Sequence, residues 1–140
     1  MKYFTISEFL VSATARKKGI PNNPTLEEKN HIVELVENLL DPLREAWGSA
    51  IKVTSGFRCP ALNRAVGGAK RSAHMTGYAA DLKPVNGKMK EFQAFAKKWI
   101  ADKKFDQFII EKPQKGIASW IHIGIKNQNG LQRKQFLTIK

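Results

Sequence analysis

Phe105-Asp-Gln-Phe-Ile-Ile-Glu111 and Ser119-Trp-Ile-His-Ile-Gly-Ile125 decide the fold of this chain. Both runs are rich in β-branched and aromatic residues, and Pro113 and Gly116 lie between them, so they read as two strands of an antiparallel pair. In the second, Ile121, Ile123 and Ile125 fall on one face and Trp120, His122 and Gly124 on the other. His122 is thereby directed away from the isoleucine side. Outward from this pair, Phe92, Phe95, Ala96, Trp99 and Ile100 recur at helical spacing and predict a helix over about residues 88–102 whose other face is largely lysine. Ile51, Val53 and Thr54 suggest a short strand, and a last strand is placed over Lys134 to Ile139. The sum is an α+β domain: a small antiparallel sheet with helices packed against it.

The N-terminal half is predicted to be helical. Thr5 with Glu8 and Thr25 with Glu28 each make a capping box, and both should open helices. The second helix is long, with an apolar stripe of Leu26, Ile32, Leu35, Val36, Leu39, Leu40, Leu43 and Trp47, interrupted near Pro42 and stopped at Gly48. Gly19, Pro21, Asn22, Asn23 and Pro24 form a loop between the two helices. The glycine- and proline-rich stretch from Ser55 to Gly68 holds one short helix after Pro60, and such irregular backbone suits the wall of a site.

At 140 residues the chain is expected to be one domain over 1–140 with one core. Cys59 stands alone, so no intramolecular disulfide supports the fold. No apolar run approaches the length of a membrane span, and Ser7 and Glu8 interrupt what would be a signal peptide, so synthesis in the cytoplasm is expected. The formal net charge is +12: residues 1–50 carry 6 basic and 7 acidic side chains, residues 51–140 carry 18 and 5. Such a surface attracts polyanions, with anionic wall polymers, lipid or nucleic acid as candidates. No helix-turn-helix, zinc-finger or ribonucleoprotein signature is present, which places nucleic acid last. Gly67 and Gly68 match neither a P-loop nor a dinucleotide fingerprint.

The chemistry centres on Ser72-Ala-His-Met-Thr-Gly-Tyr-Ala-Ala-Asp81, where an imidazole and a carboxylate lie seven residues apart with Gly77 to turn the chain between them. With His122, two imidazoles and one carboxylate make a donor set that suits one zinc ion with a position left for water. On spacing alone, a loop histidine and a satisfied sheet histidine fit equally well. His31, the third histidine, has no such context.

Ser55-Gly-Phe-Arg58, the 72–81 segment and Trp120-Ile-His122 together resemble the M15 peptidases, zinc D-alanyl-D-alanine carboxypeptidases and related cell-wall peptidases. Tyr3-Phe-Thr-Ile-Ser-Glu-Phe9 and Asn38-Leu-Leu-Asp-Pro-Leu-Arg-Glu-Ala-Trp47 are similar to small phage and prophage members. The resemblance implies a Hedgehog/DD-peptidase-like fold with the zinc site on the sheet, His74, Asp81 and His122 as the zinc ligands, and Arg58 holding a substrate carboxylate, a role its guanidinium fork suits. Ser72 would bind substrate or brace His74. Many M15 enzymes carry Asp or Glu three residues before the last histidine, where this chain has Ser119, which cannot take a proton from water at neutral pH. Glu111 replaces it as the expected general base, since Phe105-Asp-Gln-Phe-Ile-Ile-Glu111 resembles the corresponding segment of Hedgehog-type relatives in which the glutamate lies beside zinc. The alternative for Glu111 is a surface glutamate at a hairpin end.

Trp120 reads either as a pocket wall or as core, and Cys59, without a partner at ligand spacing, as an inert buried residue. The implied function is zinc-dependent hydrolysis of peptidoglycan stem peptides by a monomer, of D-alanyl-D-alanine carboxypeptidase type and acting on the wall after release. Cleavage within the stem, or a zinc-bearing wall-binding module without turnover, are the alternatives.

Overall fold

The computed structural model describes residues 1–140. Ten regular elements follow one another: α1 (Ala13–Lys18), α2 (Leu26–Leu35), α3 (Asp41–Trp47), β1 (Ile51–Ser55), α4 (Pro60–Ala65), β2 (Ala79–Pro84), α5 (Met89–Ile100), β3 (Gln107–Glu111), β4 (Trp120–Gly124) and β5 (Gln135–Ile139). The strands form one sheet in the order β1-β2-β4-β3-β5.

The two capping boxes behave differently. At Thr25 the box closes, with Thr25 Oγ1 accepting from Glu28 N–H and Glu28 Oε1 accepting from Thr25 N–H, and α2 follows. At Thr5 the expected helix is a single 3-10 turn, Ile6–Phe9. Phe9 is fully buried and its carbonyl accepts from Phe57 N–H, so the chain turns inward there instead of propagating. A helix that the sequence reading missed, α1, begins instead at Ser12, whose side chain caps Ala15 N–H. The long second helix is interrupted near Pro42 as anticipated: a wide π turn, Val36–Leu40, joins α2 to α3 with the backbone helical throughout, and Pro42 sits in the first turn of α3 just after the widened turn. Leu26 does not join the apolar stripe. It is 75% exposed, because the first turn of α2 points into solvent ahead of the core.

The sheet is mixed, which corrects the expectation of a purely antiparallel one. β1–β2, β2–β4 and β3–β4 are antiparallel, but β5 runs parallel to β3. The reason lies in where the chain leaves β4. Gly124, the last residue of β4, pairs with Gln107, the first of β3, and Gln135, the first of β5, pairs with Gln107 from the other side. A strand that starts at that end beside β3 must run in the direction of β3. Alternation within a sequence fixes which face a residue takes, not the direction of its neighbour.

One face of the sheet packs into the core. Leu82, Ile121, Ile123 and Phe108 point inward to meet Phe92, Ala96 and Ile100 of α5, Leu35 of α2, Leu39 of the π turn and Leu43 of α3. The hairpin between β3 and β4 is pinned to α5 by Gln93, which donates to the Gly116 carbonyl and accepts from Ala118 N–H. The other face carries Asp81, His122, Ile109 and Glu111. A segregated sheet of this kind leaves its polar face free to build a site. No helix is long and apolar enough to cross a membrane.

Candidate active site

Asp81 on β2 and His122 on β4 are directly opposed in the sheet register, so their side chains emerge side by side from the polar face. His74 reaches them from a 3-10 turn, Ala73–Thr76, that precedes β2. Gly77 makes this approach possible. Its φ is +87°, and a Cβ there would lie 2.5 Å from the Glu28 carbonyl oxygen, so only glycine fits the return from the His74 turn into β2.

His74 Nε2 and His122 Nδ1 lie 3.2 and 3.1 Å from the same oxygen, Asp81 Oδ1. All three residues are buried, and one donor atom from each lies within 4.8 Å of the other two. The outer nitrogen of His74 faces the Gly56 carbonyl at 2.7 Å, the kind of anchor that fixes the tautomer of a ligating imidazole. His122 Nε2 is buried with no hydrogen-bond partner. Two imidazoles converging on one carboxylate, with an orphaned ring nitrogen beside them, fit a borderline-soft divalent ion such as zinc. Burial opposes ionisation of Asp81, but the His74 charge and the hydrogen bonds from both imidazoles outweigh it and hold the carboxyl well below the usual carboxylate range. The site keeps an anion ready for a cation.

Arg58 and Glu111 flank this cluster. Arg58 Nη2 stands 3.7 Å from Asp81 Oδ2, while Nε donates to Ser55 Oγ at 3.3 Å and Nη1 to Asn63 Oδ1 at 3.0 Å. Burial lowers the Arg58 pKa from its ordinary value, and the charges of Asp81 and Glu111 oppose the shift. Glu111, at the end of β3, has its pKa raised by burial and by the Asp81 charge, against a smaller opposing effect of His122. A carboxylate pushed upward inside a cleft is the environment in which a general base works nearer neutrality. Both residues line one open cleft of about 1180 Å³ together with His74, His122 and Trp120. Trp120 is thus a wall of the cleft.

Ser72 is tied inward. Its Oγ accepts from His74 N–H at 3.2 Å. Cys59 is half-buried and contributes nothing to the His-Asp-His cluster. Sequence reasoning missed Asn63 and Gly68. Asn63 is buried, accepts from Arg58 and donates to the Ala69 carbonyl at 2.9 Å, while a Cβ on Gly68 would lie 2.1 Å from Asn63 Oδ1 and 2.6 Å from Arg58 Nη1. The sequence gives a glycine pair and an asparagine on a short helix, and nothing in their spacing points to Arg58.

A family model described as Peptidase M15 matches residues 2–124. The chain belongs to the M15 peptidase family. No curated protein matches the chain in sequence. Membership implies a zinc metallopeptidase acting on peptidoglycan, and the His74–Asp81–His122 cluster is the part of this M15 peptidase with donors that could hold the ion. β5 lies beyond the matched residues.

Proposed function

We propose that this M15 peptidase removes the terminal D-alanine from peptidoglycan stem peptides, with one zinc held by His74, Asp81 and His122. The observation that carries this reading is the position of Arg58: a partly buried guanidinium at one end of the donor cluster, with Glu111 in the same cleft. A bound zinc would supply Lewis-acid polarisation of the scissile carbonyl and lower the pKa of attacking water to about 7.

The chain's own groups do the rest. Arg58 takes the C-terminal carboxylate of the substrate through its guanidinium and sets the depth at which the peptide enters. Glu111 Oε takes a proton from the attacking water and returns it to the leaving amine. Its raised pKa suits both halves of that transfer, since a weaker carboxylic acid is a stronger base. Trp120 shields one side of the reacting centre from bulk water. Ser72 keeps the His74 turn closed. The lysines of α5, together with the +12 charge, draw the protein to anionic wall polymers.

Cleavage inside the stem is a second reading, favoured by the length of the cleft. Val11, Ser12, Leu137 and Ile139 line the same cleft as Arg58 and Glu111, so its lining extends well beyond the residues that a single terminal D-alanine would engage. Mass spectrometry of defined stem peptides incubated with zinc-loaded protein separates the two. Loss of a single D-alanine, abolished by EDTA and restored by zinc, is expected. Internal fragments would transfer the assignment to an endopeptidase, and no metal-dependent product from any wall type would overturn the enzymatic reading.

A further inference from the structure

Lys112 follows Glu111 with φ +44°, a left-handed conformation that a lysine adopts only when its surroundings impose it. Its side chain is exposed and supplies no compensation. The restraint comes from the backbone on both sides. Lys112 N–H donates to the Ile139 carbonyl at 2.6 Å, and the Lys112 carbonyl accepts from Ser119 Oγ at 2.7 Å. Ser119 N–H in turn donates to the Glu111 carbonyl at 2.9 Å.

We propose that Ser119 and β5 form a clamp on Lys112 that fixes the direction of Glu111 in the cleft. The inference rests on the reading of Glu111 as the base. Glu111 is the last residue of β3, where a strand ordinarily frays and its side chain wanders. Here the next residue is held at both its N–H and its carbonyl, so the Glu111 Cα–Cβ bond has one direction. β5 can exert this hold because its other end is anchored: Lys134 N–H donates to the Phe105 carbonyl, and Arg133 grips Asp106 through Nε at 2.7 Å and Nη2 at 2.9 Å. Ser119 occupies the position at which many M15 enzymes carry Asp or Glu, and it serves Glu111 as a positioning residue. β5 lies beyond residues 2–124, the part of the chain that the family model matches.

The test uses the zinc-loaded protein, residues 1–140, and stem peptides. Ser119→Ala is expected to lower kcat about fivefold, the equivalent of one net hydrogen bond, with KM unchanged. Ser119→Thr, which keeps the hydroxyl, should restore the rate. Lys112→Gly keeps both backbone contacts but frees the φ of residue 112, so in that background Ser119→Ala should cost at least as much; a smaller loss there overturns the clamp. A readout independent of turnover is amide hydrogen exchange at Lys112, which should accelerate about fivefold in Ser119→Ala. Unchanged exchange at Lys112, or a Ser119→Ala effect confined to KM, overturns the clamp. Full activity of Ser119→Ala beside an inactive Glu111→Gln overturns the clamp alone, whereas activity surviving Glu111→Gln overturns the reading of the base and the clamp with it.

Discussion

Arg58 offers the most discriminating perturbation, because its donors can be counted. A guanidinium has five N–H groups. One on Nε is used by Ser55 and one on Nη1 by Asn63, and one on Nη2 faces Asp81. One N–H on each terminal nitrogen remains, and this pair matches the two oxygens of a peptide C-terminus. Charge-assisted hydrogen bonds contribute about 1.5–3 kcal/mol each, so the pair amounts to about 10²- to 10⁴-fold in kcat/KM. Stem peptides ending in a free carboxylate or in an amide should therefore differ by that factor with the native protein. Arg58→Gln should erase the preference, and Arg58→Lys, which keeps the charge but loses the fork, should retain about half of it in free-energy terms. Zinc content, measured beside the kinetics, should be unchanged in both variants, since Asp81 keeps both imidazoles. Equal kcat/KM for acid and amide substrates in the native protein would refute the assignment of Arg58 as the reader of the chain end.

Other residues give sharp expectations. Glu111→Gln should lower kcat by about 10²- to 10⁴-fold. In the metal-free protein the same change should raise Tm at neutral pH, because a carboxyl whose folded pKa lies above its ordinary 4.5 makes folding less favourable as pH rises through that range; the gain should vanish below about pH 4, as pH-dependent calorimetry would show. Asp81 has the opposite sign: its depressed folded pKa gives stability that is complete above its ordinary 3.8 and is lost as pH falls below it, so Asp81→Asn should flatten the acid limb of the curve. Asp81→Asn should also weaken zinc binding at least about 100-fold in a chelator competition, since changes to groups behind the ligands alone cost about 10- to 100-fold. Gly77→Ala should cost about 2 kcal/mol or more in urea unfolding, from its positive φ and the clash with Glu28.

What the sequence disclosed and what it withheld divide along a physical line. Alternation in residues 119–125 put His122 opposite the isoleucines, and the packing agrees, because side-chain direction in a strand has a period of two whatever the strand pairs with. Thr25 with Glu28 opened α2, and Pro42 and Gly48 marked the break and the end of the helical pair, all through local backbone chemistry. The direction of β5 depended on which end of β3 the chain reached, a long-range matter that no local pattern records. Thr5 with Glu8 had the right residues for a helix, but burial of Phe9 decided otherwise. In the site, the gathering of His74, Asp81 and His122 was legible through the resemblance of residues 72–81 and 120–122 to M15 peptidases, since spacing alone fitted a loop histidine and a sheet histidine equally well. Asn63 and Gly68 were not, since holding Arg58 is a contact between segments and leaves no periodic trace.

The outer edge of β5 leaves a row of backbone donors and acceptors facing water, bordered by the partly exposed Phe136, Leu137 and Ile139. Unpaired edges of this kind template the pairing of one molecule with the next. Here the edge is only five residues long and is bracketed by Lys134, itself bent to φ +54°, and Lys140. Two copies approaching edge to edge would bring like charges together at both ends of a short, twisted strip, on molecules that already repel at +12. The positive charge thus opposes growth of the open sheet from one molecule to the next, and exchanging both lysines for threonine should increase light scattering at high concentration.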